Sequence, residues 1–148
     1  MTATASTDHL DAASASYEHG LANMMEYQAH DGSGASGHLA LQEALKDIAP
    51  DVSRYIVEFA FGDIYDRPGL TNQERSLVTI SSLTTLGTEP QIELHINSGL
   101  NVGLSMEQIV GAIVHLIPYI GFPKVLNALD IAKRVAAERG ISVSAPQA

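Results

Sequence analysis

Two histidines of the sequence, His95 and His115, lie within strongly apolar segments of helical character. At helical spacing His95 shares a face with Gln91 and Gly99, and His115 shares a face with Tyr119 one turn later. Histidine titrates near neutral pH, so it can donate or accept a proton at working pH. The group therefore indicates a proton-transfer site that includes the tyrosine hydroxyl. The alternative interpretation is a pair of buried structural histidines, each with one hydrogen bond to the backbone.

Several cations are candidates to hold an acidic substrate. Arg75 follows Glu74, and Arg67 lies in the segment Asp-Arg-Pro-Gly; Arg54 and Lys124 are further candidates. A guanidinium group is well shaped to grip a carboxylate with two hydrogen bonds. Arg75 can also be a plain surface residue, and Arg67 can simply pair with a neighbouring aspartate. For Glu74, helix capping is a sufficient role, with substrate binding or proton transfer as the alternative.

A metal site is the obvious competitor to proton transfer. Catalytic zinc usually has three protein ligands, often histidines with a carboxylate. The sequence has no His-Glu-x-x-His pattern, and Glu93, two residues from His95, points away across the same helix. The cysteine count is zero, which excludes disulfides, Cys-ligated metals and thiol redox chemistry. We therefore expect no metal site.

The charge balance restricts the partners. Eight Lys+Arg against 17 Asp+Glu give a net charge of −9, which repels nucleic acid and anionic membranes. The sequence starts with no basic, apolar signal segment, and its apolar runs are far shorter than the roughly 18 residues of a membrane span. We therefore expect a cytoplasmic protein with a small-molecule substrate and no nucleic-acid or membrane partner. An anionic substrate requires local cations.

The 148 residues suffice for one domain, and the pattern along them is helical throughout. Capping boxes at Thr71/Glu74 and Ser105/Gln108 each predict a helix start, and Pro118 predicts an interruption. The expected fold is all-α, with about six helices joined by short connections. The sequence predicts a domain over residues 17–140, starting with a helix at Tyr17, between tails at residues 1–16 and 141–148.

Glycines mark two further features. The segment Gly32–Gly37 is rich in glycine and serine and predicts a flexible loop, after which His38 can fold back over a pocket. Gly99 and Gly111 lie inside predicted helices, where each costs about 1 kcal/mol against alanine. Such a glycine either lets another helix or a subunit approach closely, or is simply tolerated.

With these residues in view, the sequence resembles the carboxymuconolactone decarboxylase family, in particular its short single-domain decarboxylases. The resemblance extends from about Tyr17 to Val135. The motifs that carry it, in order along the chain, are Phe59–Leu70, Arg75–Thr79, Leu86-Gly87, Leu94-His95, Asn101–Gly103, His115–Pro123 and Asn127-Ala128.

The resemblance implies an all-helical fold of the alkylhydroperoxidase-D-like type and a homo-oligomer, a hexamer or a trimer, with sites near subunit contacts. It also implies a role in aromatic catabolism. The family's decarboxylases use no cofactor, and they convert 4-carboxymuconolactone to an enol-lactone of 3-oxoadipate with release of carbon dioxide. On this basis His95 is the expected proton donor or acceptor, and His115 with Tyr119 stabilises the developing enolate. Arg75 and Arg67 are expected to hold a carboxylate, and the substrate-binding set is completed by Glu74, Gln91 and His38.

The sequence departs from both branches of the family. The thiol peroxidase branch places a Cys-x-x-Cys pair where this chain has Thr88 and Gln91, so the absence of cysteine excludes peroxidase activity. The decarboxylase branch typically carries arginines in the first helix, where this chain has the run from Met24 to Tyr27. Fewer cations weaken binding of two carboxylates, so a bulkier or less charged substrate is expected. There are two alternatives to a 4-carboxymuconolactone decarboxylase: a related lyase or isomerase in a biosynthetic pathway, and a non-catalytic oligomeric protein that binds small molecules.

Overall fold

The computed structural model describes residues 5–28 and 37–142, with backbone alone for residues 5–14 and Leu39. Across these ranges the chain is helical and contains no β-strand, which confirms the predicted all-α class. None of the helices described is both long enough and apolar enough to cross a membrane. The elements are α1 (Ala5–Glu26), α2 (Gly37–Leu45), α3 (Pro50–Tyr55), a π-helix (Ile56–Ile64), α4 (Asn72–Leu86), α5 (Glu89–Asn101), α6 (Met106–His115), α7 (Ile117–Ile120) and α8 (Phe122–Glu138).

The predicted helix signals are present where the sequence placed them. Both capping boxes form: the Thr71 hydroxyl accepts from the Glu74 amide, and Ser105 does the same for Gln108. Pro118 ends the α6 run as predicted, and the chain makes the single turn of α7 before α8 begins. These signals are local in sequence, so they act without help from tertiary packing.

Other boundaries differ from the prediction. Helix α1 begins at Ala5, well ahead of Tyr17. The four alanines of residues 5–16 favour a helix, whereas the serines and aspartates among them do not. The separation of residues 1–16 from the domain stays a prediction. The Gly32–Gly37 loop lies outside the described residues except for Gly37, which begins α2, and the tail at 141–148 is described only as far as Ser142.

The helical segment that begins at Pro50 is composite. Its first six residues form α3, and from Ile56 onwards the backbone winds as a π-helix. The Tyr65 amide accordingly donates to the Ala60 carbonyl five residues earlier, at 2.9 Å. This break and the separate turn of α7 contribute to the nine elements of the described residues, where about six helices were expected.

The chain forms two compact units, Met1–Gly69 and Leu70–Ala148. In the first unit, α1 and the π-helix meet at two buried glycines. A Cβ added to Gly20 would lie 2.0 Å from the Val57 carbonyl oxygen, and one added to Gly62 would lie 2.7 Å from the Ser16 carbonyl oxygen. Asn23 on α1 also donates from Nδ2 to the Phe61 carbonyl at 2.9 Å. The two backbones are therefore in direct contact, with no room for a side chain between them.

The second unit is built on an aliphatic core shared by α4, α5, α6 and α8. The largest fully buried residues of that core are Ile80, Ile92, Ile96, Ile109, Ile113, Val125, Ile131 and Val135. Helix α8 is also tied to α5 by polar contacts: Arg139 donates to Asn97 Oδ1 at 2.8 Å and to Asn101 Oδ1 at 2.6 Å. Apolar packing and these hydrogen bonds together hold α5 in place.

Of the two interpretations that the sequence left open for Gly99, the structure supports the close approach. A Cβ there would lie 3.1 Å from Leu104 Cδ1 and 3.4 Å from Ile80 Cδ1, so α5 packs tightly on its neighbours. At Gly111 an added Cβ would meet no described atom within 4 Å. Gly111 therefore does not serve a helix contact in this part of the chain.

We predict that Gly20→Ala lowers the free energy of unfolding by at least about 1–3 kcal/mol, because the new methyl group overlaps a backbone carbonyl that cannot rotate away. Gly111→Ala is the matched control and should leave stability unchanged or raise it by up to about 1 kcal/mol. Urea denaturation followed by circular dichroism measures both. Equal stability of Gly20→Ala and the wild type would contradict the backbone contact.

Candidate active site

The α4–α5 hairpin positions the first predicted catalytic residue. The buried residues of α4 are Ser76, Ile80 and Thr84, which form one stripe along the helix because they are spaced by four. Gly99 of α5 lies against this stripe: its added Cβ would be 3.6 Å from Ser76 Cβ and 3.4 Å from Ile80 Cδ1. His95 is half-buried and precedes Gly99 by one turn on the same face. The tight contact at Gly99 therefore sets how far His95 lies from α4.

Two charged candidates lie in the first turn of α4. The Glu74 carboxylate accepts from the Thr71 amide at 2.7 Å and from the Thr71 hydroxyl at 2.9 Å. These bonds, the backbone one foremost, lower the pKa of Glu74. Arg75 is half-buried, and its Nη1 donates to the Leu70 carbonyl. The geometry thus gives Glu74 a capping role and fixes the Arg75 guanidinium against the backbone that leads into α4.

The structure brings His115 and Tyr119 together, as their spacing predicts. Their ring centroids are 5.6 Å apart at an interplanar angle of 53°. Both side chains are exposed, Tyr119 to 71%. This arrangement does not match the apolar burial that the surrounding sequence indicated for His115. Helical periodicity places the two rings on one face correctly, but it does not say whether that face is covered.

The remaining candidates are more dispersed. Gln91 is exposed near the start of α5, in the same unit as His95. Arg67 is exposed in the first unit. His38, also in the first unit, is buried, with its ring 5.1 Å from that of Phe61 in a T-shaped arrangement. Burial lowers the pKa of His38 from its ordinary value of 6.5 to about 4, so the imidazole is neutral at pH 7.

Two hydroxyl groups that the sequence analysis did not select stand out in the second unit. The side-chain oxygens of Thr84 and Thr88 are buried and have no hydrogen-bond partner among the described residues. The one signal in the sequence was the position of Thr88, which shares the α5 face of Gln91 and His95. Unpaired burial depends on tertiary packing and has no sequence pattern of its own.

A metal site would need clustered His, Cys, Asp or Glu side chains. No group of three or more His, Cys, Asp or Glu side chains within residues 5–28 and 37–142 is arranged so that it could hold a metal ion. The groups that the described part of this site offers for chemistry are imidazole, guanidinium, carboxylate and hydroxyl side chains.

These features define the class of the protein: it is all-α and carries a half-buried histidine on a helical hairpin. The model of the carboxymuconolactone decarboxylase family matches residues 50–134, which include both helices of that hairpin. The chain therefore belongs to the carboxymuconolactone decarboxylase family, as its motifs predicted.

Individual relatives agree with this assignment. A 4-carboxymuconolactone decarboxylase from Acinetobacter baylyi is 35% identical over 100 residues, which are 68% of this chain and 75% of the relative. A 15.0 kDa protein from Paracoccus denitrificans is 31% identical over 64% of this chain and 72% of its own length. A nitrosuccinic acid decarboxylase from Metarhizium robertsii is 27% identical over 64% of this chain and 68% of its own length.

Burial of His38 predicts a pH dependence of stability. The unfolded chain protonates this residue near pH 6.5 and the folded chain only near 4, so its contribution is complete above pH 6.5 and is lost as the pH falls towards 4. The slope reaches at most about 1.4 kcal/mol per pH unit. Urea denaturation from pH 7.5 to 4 measures it. His38→Gln should flatten the curve, whereas His19→Gln, at an exposed histidine, should not; an unchanged curve in His38→Gln would contradict neutral burial.

Proposed function

We propose that the protein is a cofactor-independent decarboxylase of a small lactone acid of the 4-carboxymuconolactone type. The observation that carries the proposal is the family membership, together with 35% identity to a 4-carboxymuconolactone decarboxylase. The second named decarboxylase among the relatives, which acts on nitrosuccinic acid, supports the same reaction class. In both cases the named substrate is a small acid with two carboxyl groups.

The reaction needs an electron acceptor and a proton donor. When the bond between the carboxylate and the ring carbon breaks, its electron pair moves into the conjugated carbonyl, which becomes an enolate as carbon dioxide leaves. The enolate then takes one proton on carbon. Hydrogen bonds that stabilise the oxyanion in a water-excluded pocket lower the barrier to the first step. A positioned histidine accelerates the proton transfer typically 10²–10⁴-fold.

We assign the proton transfer to His95, the half-buried histidine of α5. Arg75, fixed by its bond to the Leu70 carbonyl, is assigned to the substrate carboxylate, because a positioned guanidinium loses little freedom on binding. Arg67 is an exposed, secondary candidate for the same role. His115 and Tyr119 are assigned to the developing enolate, where an imidazole N–H and a phenol O–H donate hydrogen bonds.

We also propose that the working form is a homo-oligomer, a hexamer or a trimer. His115 and Tyr119 are exposed in the single chain, although enolate stabilisation needs exclusion of water. The same stretch of chain exposes Val114, Phe122 and Leu126, which adds an apolar surface around the pair. A second copy that covers this surface would bury both the apolar residues and the two rings.

The assembly is tested by light scattering coupled to gel filtration. The wild-type chain should have a mass several times 15.7 kDa, and Phe122→Asp should reduce it, because a carboxylate cannot be buried unpaired in an apolar contact. Val52→Asp, at another exposed apolar residue, should leave the mass unchanged. A monomeric wild-type chain would contradict the proposal.

A second candidate substrate is nitrosuccinic acid. The similarity to the Metarhizium protein favours it. A nitro group accepts the electron pair left by carbon dioxide in the same way as a carbonyl, so the roles of His95 and Arg75 would be the same. Assays with both acids separate the two candidates.

The assignment of His95 is tested by following carbon dioxide and product by NMR with each acid. His95→Ala should lower kcat by about 10²–10⁴-fold while the fold is retained, and His19→Ala, at an exposed histidine paired with Asp66, should retain full turnover. A folded His95→Ala variant with near-full turnover would contradict the assignment of proton transfer to His95. Thermal stabilisation by either acid without any turnover would favour the non-catalytic binding protein, because ligands stabilise by RT ln(1 + [L]/Kd).

A further inference from the structure

Three hydroxyl groups within α4 and α5 bond to their own helix. Ser82 and Thr85 each donate to the carbonyl four residues earlier at 2.9 Å, and Ser98 does so at 3.1 Å. Such bonds are the ordinary way in which a serine or threonine inside a helix satisfies its hydroxyl group. A hydroxyl that is buried and lacks this bond therefore needs another partner.

The hydroxyl groups of Thr84 and Thr88 make no such bond to their own helix. Thr84 is fully buried, and its hydroxyl makes no hydrogen bond to any residue in the described ranges. The hydroxyl of Thr88 is equally sequestered and, in the part of the chain described, equally without a partner. Thr88 occupies the N-cap position of α5 but does not cap the helix, in contrast to Thr71 and Ser105, which both do.

Both threonines lie at the closed end of the α4–α5 hairpin. Thr84 continues the buried stripe of α4 against which Gly99 packs. Thr88 lies on the α5 face of His95, two turns earlier, which is about 10 Å along the helix axis. A small acid that reacts at His95 and carries a second polar group, with a hydrogen bond at each end, has the length to span that separation.

A lysine lies at this end of the hairpin, together with the carboxylate of Glu89 in the first turn of α5. Lys124 at the start of α8 donates from Nζ to the carbonyl of Thr85, the residue next to Thr84. This contact holds a positive charge at the end of α4, in a protein whose net charge is −9. A carboxylate accepts hydrogen bonds from hydroxyl groups and is attracted by the ammonium group.

We propose that the hydroxyls of Thr88 and Thr84 form a binding subsite for the second carboxylate of the substrate, the one that is not lost. This proposal rests on the proposed decarboxylase function and names the substrate class as dicarboxylic acids. The subsite is kept unpaired in the free protein, at a cost in stability, and is satisfied when the ligand binds.

The first test concerns the free protein. Thr84→Val removes the hydroxyl and keeps the shape, so it should leave the melting temperature unchanged or raise it, since no hydrogen bond is lost. Thr85→Val, at an exposed hydroxyl that bonds within the helix, is the matched control and should change the melting temperature little. A fall of several degrees in Thr84→Val alone would overturn the proposal, because it would show a structural partner.

The second test concerns binding. Titration calorimetry compares 4-carboxymuconolactone with its monoester, in which the acetate side chain is blocked. Thr88→Val should weaken binding of the diacid at least 10-fold and change binding of the monoester little, and Thr88→Ser should restore the wild-type affinity for the diacid. Equal loss for both ligands, or no loss for either, would overturn the proposal, and so would failure of the wild-type chain to bind any diacid in a panel that includes nitrosuccinic acid.

The same measurements separate this proposal from the proposed function. Diacid binding that depends on Thr88, without release of carbon dioxide, would support the subsite while the decarboxylase function fails. Turnover with the same KM in wild type and Thr88→Val would overturn the subsite while the decarboxylase function stands.

Discussion

Close packing of helices at glycine is the constraint on which the geometry of both units depends. In the second unit, Gly99 brings α5 to within van der Waals distance of Ile80 and Leu104, and that separation determines where His95 lies relative to α4. In the first unit, Gly20 meets the Val57 carbonyl so closely that any side chain would have to displace backbone. Flexible side chains can move aside, whereas a backbone carbonyl within a helix cannot. The contact at Gly20 therefore tolerates substitution less than the contact at Gly99.

Positive charge is scarce in this protein, and its placement limits the substrates that it can bind. Of the eight Lys+Arg, Lys46, Arg54 and Arg134 are in ion pairs with glutamates. Arg75 and Lys124, both in the second unit, donate to backbone carbonyls. Each bond fixes the position of a cation in the unit that contains His95, and Arg75 also interacts electrostatically with Glu74.

Features that depend on a few neighbouring residues could be predicted from the sequence, and those that depend on packing could not. The capping boxes and the break at Pro118 each follow from local chemistry. The close approach at Gly99 does not, because Gly111 carries the same sequence signal and meets no described atom. The π-helix could not be predicted from the sequence, because a change from four-residue to five-residue hydrogen bonding leaves the apolar pattern almost unaltered. The exposure of His115 was missed for a related reason, since periodicity assigns a face but not what covers it. The unpaired hydroxyl of Thr84 is the extreme case, because nothing within four residues distinguishes it from Thr85.

The two candidate histidines differ in a way that bears on their roles. A site that excludes water lets the positioned donor, and not solvent, deliver the proton to the enolate carbon, so partial burial is an advantage. His95 has that environment within its own chain, on a helix fixed by apolar packing and by the bonds from Arg139. His115 lies on the surface of its chain and acquires a comparable environment only where another surface covers it. The proposed roles follow this difference, with proton transfer assigned to His95 and oxyanion stabilisation to His115 with Tyr119. The hydrogen bonds to the oxyanion would be completed when the proposed homo-oligomer forms.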